Sequence, residues 1–333
     1  MVLDALEHPI VLAPMAGGPS TPSLAGAVSD AGGLGFLALG YLTAEAADEQ
    51  IAELRGLTDR AFGVNLFVPG QASDPDSFAP YVERLRRAGL QLGEPRFDDD
   101  GWDSKLALIL DRRPAVASFT FGCPSAEVVS ALRAAAVEVW VTVTSADEAR
   151  LAAERGADVL IAQGAEAGGH RASFDNRIDM PVYGLLALLQ LVTAAVGLPV
   201  VATGGIATAV AVAGVLSAGA VAAQIGTAFM LAPEAGTVPA LREAVASGRP
   251  TELTRAFTGR LARGIQNRFM DEYGADAPAA YPEIHNVTAP LRGAARKAGD
   301  GESFNLWAGE AHALAEALPA GELTVALAGE ARR

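Results

Sequence analysis

The chain has 333 residues, half of them apolar and 19% charged, enough material for a large buried core. Its formal charge of −14 excludes the basic face that nucleic-acid binding needs, so an anionic ligand has to be held by backbone N–H groups or a few basic side chains. No apolar stretch reaches the roughly 20 residues of a membrane span, and the acidic start Met1–Glu7 lacks the features of a signal peptide, so a soluble cytoplasmic protein is expected.

From residue 9 to about 230, short apolar runs alternate with amphipathic segments. Strands are expected near Ile10–Met15, Leu34–Leu39, Phe62–Phe67, Val116–Phe121, Val139–Val143, Val159–Gln163, Val200–Thr203 and Ala222–Ile225. Each is continuously apolar rather than alternating, as a strand buried on both faces should be. Helices are expected at Ser20–Ala31, Ala44–Leu54, Ser125–Ala135, Ala146–Arg155, Tyr183–Val196 and Thr208–Ser217. Thr43 and Ser145 stand where N-caps belong, and Gly156 and Gly197 where helices stop.

This alternation, with connections too long for hairpins, predicts an α/β fold: a parallel sheet closed into a (β/α)8 TIM barrel. A doubly wound open sheet would want GxGxxG after the first strand, and Ala13-Pro14-Met15-Ala16-Gly17-Gly18 is not that pattern. The barrel domain is expected over 1–232, with a helical insertion at about 69–114 carrying helices around Phe78–Ala88 and Ser104–Arg113. Residues 233–333 show no strand run and are expected to form a helical and loop-built cap at the barrel mouth, frayed at Gly329–Arg333.

In such barrels chemistry sits at the C-terminal ends of the strands, and a phosphate is commonly held after the seventh and eighth. Here those ends read Ala202-Thr203-Gly204-Gly205-Ile206 and Gln224-Ile225-Gly226-Thr227-Ala228. Small residues let a phosphate approach the backbone, and a following helix N-terminus offers it N–H groups and positive dipole. At the end of the first strand, Ala13, Pro14 and Met15 can build a flat apolar wall for a planar ring. Asn65 is a polar residue in a buried apolar strand, which a structural network explains as well as a cofactor does.

The sixth strand runs into Gln163-Gly164-Ala165-Glu166-Ala167-Gly168-Gly169-His170-Arg171. Gly168 and Gly169 let this loop turn sharply and bring His170 over the barrel centre, where it can serve as an acid or base. A lone loop histidine is more often a surface residue, but this one follows a double glycine at the catalytic end. His8, His285 and His312 have no such setting. Cys123 is the single cysteine, reads as a small buried thiol, and excludes an intrachain disulfide. No HExxH, metal-ligand cluster or Walker motif is present, so no metal is expected.

Taken together, these motifs make the chain resemble the nitronate monooxygenases, formerly called 2-nitropropane dioxygenases, along nearly its whole length. The matching pieces are Ala13 through Gly18, Gly32-Gly33-Leu34-Gly35, Phe62 through Phe67, Gln163 through Arg171, Gly204-Gly205-Ile206 and Gln224 through Thr227. Tyr281-Pro282 through Leu291-Arg292 and Leu306-Trp307-Ala308-Gly309 follow near the end. The resemblance implies non-covalently held FMN, with its ring near Ala13, Pro14, Met15, Asn65 and Gln163 and its phosphate at Gly204, Gly205, Gln224, Gly226 and Thr227. Gly168 joins this cofactor-binding set, and His170 is the catalytic residue beside the substrate. The implied reaction is oxidation of an alkyl nitronate by O2 to a carbonyl compound and nitrite. Either His170 takes the α-proton of a neutral nitroalkane or, protonated, it holds the nitronate anion. Several members carry a Lys where this chain has Ala289, a departure for which Arg171 or Arg292 could compensate. The implied partners are a small nitronate or nitroalkane and O2, with no membrane or nucleic acid; a homo-oligomer is compatible with the sequence. Similar loops occur in NAD(P)H-dependent FMN reductases of the enoyl-ACP reductase and NADH:quinone reductase types. A flavin-free isomerase or lyase acting on a phosphorylated metabolite is the remaining alternative.

Overall fold

Strands that are apolar on both faces need cover on both, and a sheet closed on itself inside a ring of helices provides it. The computed structural model of the chain describes residues 1–329 and shows this arrangement. The barrel strands are β1 (Ile10–Leu12), β2 (Gly35–Ala38), β3 (Phe62–Phe67), β4 (Val116–Thr120), β5 (Glu138–Val143) and β6 (Val159–Gln163). After a short β7 (Gly169–His170) outside the barrel come β8 (Val200–Thr203) and β9 (Ala222–Ile225). They lie parallel in the order β1-β9-β8-β6-β5-β4-β3-β2. A parallel bridge between Val11 and Leu34 joins the two ends, with Leu34 N donating to Ile10 O and Leu12 N to Leu34 O, each at 2.9 Å.

The strands alternate inward and outward. Val11, Phe36, Val116, Trp140, Ile161 and Val201 form one buried cluster inside the barrel, with Phe36 and Trp140 rings 5.8 Å apart. A Cβ on Gly63 would lie 2.3 Å from the Phe36 ring, so that strand position has room only for hydrogen. Farther along the same inward rows the side chains become polar: Asn65, Thr120, Thr142, Gln163, Thr203 and Gln224. The barrel is therefore apolar at its floor and hydrogen-bonding at its mouth.

Six helices of the ring follow the sequence closely: α1 (Pro22–Asp30), α2 (Ala44–Leu57), α5 (Ala126–Ala134), α6 (Ala146–Glu154), α7 (Leu185–Ala195) and α8 (Ala209–Ser217). Thr43 Oγ1 accepts from Ala46 N and Ser145 Oγ from Glu148 N, each at 3.2 Å, the expected N-cap bonds. The two insertion helices part company. The later one, α4 (Trp102–Arg112), packs on α2 and β3 as part of the ring, whereas α3 (Pro75–Arg87) turns its Phe78, Tyr81, Val82 and Leu85 into a separate core with Phe257, Phe269, Ile284 and Val287.

The region from Pro233 contains strands, contrary to expectation: β10 (Thr251–Thr254) and β11 (Ala262–Ile265) form an antiparallel sheet in which β11 also pairs with β7. Thr-Glu-Leu-Thr and Ala-Arg-Gly-Ile carry no apolar run; the two strands are short and pair with each other across a brief connection, and only β7 reaches them from far off in sequence. Helices α9 (Pro239–Ala246), α10 (Arg268–Tyr273) and α11 (Glu283–Ala298) complete this mouth-side layer. The last helix, α12 (Ala320–Ala328), leaves it and packs between α1 and α8, burying Leu323 and Leu327 in the barrel core. It is the ring helix that pairs with β9, so the mouth-side layer is an insertion between the last strand and its helix. The expected fraying at 330–333 lies outside the described residues. Among the described residues no helix is long and apolar enough to cross a membrane.

Candidate active site

At the C-terminal mouth the polar inward ring opens into one chamber. Ala13, Pro14, Met15, Asn65, Gln163, Gly168, His170, Gly204, Gly205, Gln224, Gly226 and Thr227 all line it. The structure thus brings together the residues expected to hold the cofactor and the histidine expected beside the substrate. Strand β1 is shorter than expected because the chain leaves the ladder after Ala13, whose N–H makes the last bond, to Ile225 O at 2.8 Å. Pro14 has no N–H to continue the ladder. Met15 N instead donates to Ser20 Oγ at 2.8 Å, which turns Ala13–Met15 into chamber wall.

One end of the chamber is built from backbone. Gly204 and Gly205 have φ of +122° and +69°, a left-handed turn that admits glycine far more readily than other residues. A Cβ on Gly226 would stand 3.2 Å from Ala13 Cβ. Gly205, Ile206 and Ala207 lead into α8, whose N-cap Thr208 bonds Ala211 N at 3.2 Å. Nearby, Thr227 Oγ1 accepts from Gly309 N at 3.0 Å. Gln224 is 4% exposed and its Nε2 has no partner, an orphaned buried donor.

The other end is built from side chains. His170 is a strand residue rather than a free loop residue: it pairs with Ala262 across β7 and β11. Gln163 holds it there, Nε2 donating to His170 O at 3.0 Å and Oε1 accepting from Ala172 N at 2.8 Å. Both halves of that amide thus engage the loop, and Gln163 lines the chamber where the resemblance placed it. Asn65 Nδ2 likewise donates to Ser118 Oγ at 2.9 Å and Thr120 Oγ1 at 3.0 Å, while Oδ1 takes no donor among the described residues.

Around the imidazole stand Phe121, Tyr281 and Trp307, with ring centroids 5.7, 5.8 and 5.5 Å away. His170 Nε2 lies 2.9 Å from Thr258 Oγ1, which is 3.3 Å from Arg260 O. The direction of the Nε2–Oγ1 bond follows the tautomer: Nε2–H donates when the Thr258 hydroxyl serves Arg260 O, and Nε2 accepts, with the ring proton on Nδ1, when the hydroxyl turns to the imidazole. Desolvation, with the charges of Arg260 and Arg292 adding to it, pushes the imidazole pKa down to about 3. Burial and the two guanidinium charges thus favour the neutral imidazole at physiological pH.

Three buried arginines surround this end without lining the chamber. Arg171 donates to Gln163 O at 2.8 Å and Gly164 O at 2.6 Å, and Arg260 Nε to Arg171 O at 3.2 Å. Arg292 spans Thr288 Oγ1 at 3.0 Å, His285 O at 2.9 Å and Asn305 Oδ1 at 3.3 Å. Burial lowers each pKa to about 10, which leaves them charged at neutral pH. The Arg292 donors point into the protein framework, Arg171 Nη2 has no partner among the described residues, and neither guanidinium lines the chamber. Arg296, one turn beyond Arg292, does line the chamber. It rests over the Phe304 ring at 5.4 Å and forms no ion pair among the described residues. Sequence reasoning missed Arg296, as well as Tyr41, Phe121 and Thr258. Tyr41 and Phe121 follow the ends of β2 and β4 and could have been found by position; Thr258 and Arg296 carry no local signal. Burial raises the Cys123 thiol to about 11, as suits a packed thiol. His285 stacks on Tyr41 at 4.4 Å, and His312 lies between Val245 O and Arg249 O, each at 2.8 Å.

Fold and site together define a (β/α)8-barrel enzyme with a deep small-molecule chamber at the catalytic end of its strands. The family model for nitronate monooxygenase matches residues 2–330, and the chain belongs to that family of oxidoreductases. It is 42% identical to the nitronate monooxygenase of Pseudomonas aeruginosa over 347 aligned positions, covering 99% of this chain and 98% of that one. A probable nitronate monooxygenase of Staphylococcus aureus (strain Newman) is 37% identical over 329 positions, covering 95% and 92%. Among solved structures, nitroalkane oxidase from Streptomyces ansochromogenes superposes with a TM-score of 0.95 at 48% identity, covering 100% of this chain and 99% of that one. FabK from Thermotoga maritima superposes with a TM-score of 0.76 at 28% identity, covering 99% and 94%.

Proposed function

We propose that this chain binds FMN and oxidises alkyl nitronates with O2 to a carbonyl compound and nitrite. The observation that carries the reading is the chamber itself: a glycine-built turn at one end, a neutral, positioned imidazole at the other, and an apolar wall between them. The residues suit FMN. Gly204, Gly205, Gly226 and Thr227 would receive the phosphate ahead of α8, where helix dipole and backbone N–H groups favour a dianion. Ala13, Pro14 and Met15 would face the ring, and the orphaned Gln224 Nε2 and free Asn65 Oδ1 offer a donor and an acceptor along it. Bound FMN would supply the electron acceptor for a nitronate whose oxidation O2 completes.

His170 then acts as a neutral donor. In the tautomer in which Nε2 accepts from Thr258 Oγ1, Nδ1–H can bond a nitronate oxygen; Thr258 orients the ring and Gln163 holds the His170 backbone. An imidazole whose pKa is pushed to about 3 is a poor base for a carbon acid, which favours the preformed nitronate over the neutral nitroalkane. The layer inserted between β9 and α12, with α3 packed against it, serves as a cap that keeps water from this end.

The test is nitrite release from a panel of alkyl nitronates by FMN-loaded protein, with and without NADH. Nitrite should appear with O2 uptake and without NADH. Protein that takes up no FMN, or releases no nitrite from any nitronate, overturns the reading. The likeness to FabK supports a second reading as an NAD(P)H-dependent reductase. Rapid flavin bleaching on anaerobic mixing with NADH would favour it; slow bleaching is expected.

A further inference from the structure

A second cavity adjoins the chamber, and Phe67 and Phe121 line both. Asp74, Asp98, Asp99, Asp100 and Asp175 also line it, together with Val68, Pro69, Phe174 and Pro282. The two phenylalanine rings are 4.6 Å apart, and the Phe121 ring also meets His170 at 5.7 Å and Tyr281 at 5.4 Å. Phe121 stands between the imidazole and the neighbouring space, with Tyr281 and Arg260, which also line the second cavity, beside it.

Phe121 holds that place in an unusual way. Its φ is +73°, a left-handed conformation that bulky residues rarely adopt. A neighbour restricts the chain on the other side: a Cβ on Gly122 would meet Val68 Cγ1 at 2.9 Å. The ring is clamped by Arg260, whose guanidinium carbon lies 4.0 Å from its centroid. Arg260 in turn is 5% exposed and donates to Arg171 O and Ser173 O. A strained backbone, a buried cation on the ring face and a position shared by two cavities all concern one side chain. Strain of this kind persists where the surroundings over-determine it.

We propose that Phe121, backed by Phe67, is the partition that limits the length of substrate tail admitted beside His170, the second cavity being the space it withholds. This rests on the nitronate reading for the identity of the substrate and on the geometry alone for the partition. A tail growing from a head group at His170 towards Phe121 meets an aromatic face within one ring contact. Removing the ring joins the two spaces.

The test uses FMN-loaded wild type, Phe121→Gly, which keeps the left-handed backbone and removes the ring, and Phe67→Leu, which thins the partition from β3. In each, kcat/KM is measured for ethyl and hexyl nitronate, with KM and kcat resolved. The hexyl-to-ethyl ratio should rise by at least about tenfold in Phe121→Gly, carried by KM, and in the same direction in Phe67→Leu. A ratio equal to that of wild type in either folded variant overturns the partition. If wild type releases no nitrite from ethyl nitronate, the nitronate reading fails instead. The partition is then judged by the dissociation constants of acetate and hexanoate, from flavin absorbance. Hexanoate should gain on acetate by a similar factor in Phe121→Gly, and equal ratios in variant and wild type sink the proposal.

Discussion

The two ends of the chamber are made by different means. The glycine end is backbone: Gly204, Gly205 and Gly226 sit on consecutive strand ends, and their usefulness lies in the atoms they lack. The imidazole end is side chain: His170 from β7, Phe121 after β4, Thr258 and Arg260 before β11, Tyr281 before α11 and Trp307 beyond it. One end needs a particular local conformation, and the other needs distant segments to arrive together. The first therefore tolerates no added bulk, whereas the second should lose function in graded steps.

The sharpest break is expected at the glycine end. Gly205→Val puts a branched residue at φ +69° with its Cβ 2.9 Å from Glu166 Cβ. FMN affinity, followed by flavin fluorescence, should fall at least about 100-fold while circular dichroism shows the barrel intact. At the other end, His170→Ala should keep FMN and lose about 100-fold in kcat/KM for nitronates, the scale of one preorganised donor. Retention of full activity would remove the imidazole from the chemistry.

A stability measurement separates the ends by pH. The folded His170 stays neutral down to about pH 3, whereas in the unfolded chain it takes a proton near 6.5. Its contribution is fully present above pH 6.5 and is lost as pH falls towards 3. Between pH 7.5 and 5, cofactor-free wild type should therefore lose about 2 kcal/mol more than His170→Gln in urea unfolding. Equal losses would mean that the imidazole is hydrated. The smallest effect is expected from Arg296→Gln: KM for nitronates should rise about three- to tenfold with kcat little changed, since a partly screened charge is worth about 1 kcal/mol. An unchanged KM would place the guanidinium outside the anion's field.

The same contrast governs what could be read before any coordinates. The strand ends, the caps at Thr43 and Ser145 and the glycine turns are local, and each carries its own signal. The polar inward row was visible residue by residue, but that Asn65, Gln163 and Gln224 share one rim follows only from barrel closure. Sheet β7-β11-β10 was not legible, because four-residue strands with Glu252 and Arg263 in them lack the pattern of a buried strand. Arg263 is nonetheless 7% exposed, paired with Glu310 at 2.8 Å and bonded to Ala165 O at 2.8 Å. Buried arginines bonded to remote carbonyls look in sequence like ordinary surface charges: Arg260 escaped notice for that reason, and Arg171 and Arg292 were noted only as stand-ins for a lysine at Ala289.

The placement of α12 has a consequence for how such a chain matures. It closes over α1 and β1, the staves laid down first, so that side of the vessel stays open until residues Ala320–Ala328 have emerged. Everything between β9 and α12 is tethered at both ends and cannot be shed or swapped as a tail could. Trimming the chain before Ala320 would unseat α1 and α8 together and leave the floor, rather than the lid, as the first part to leak.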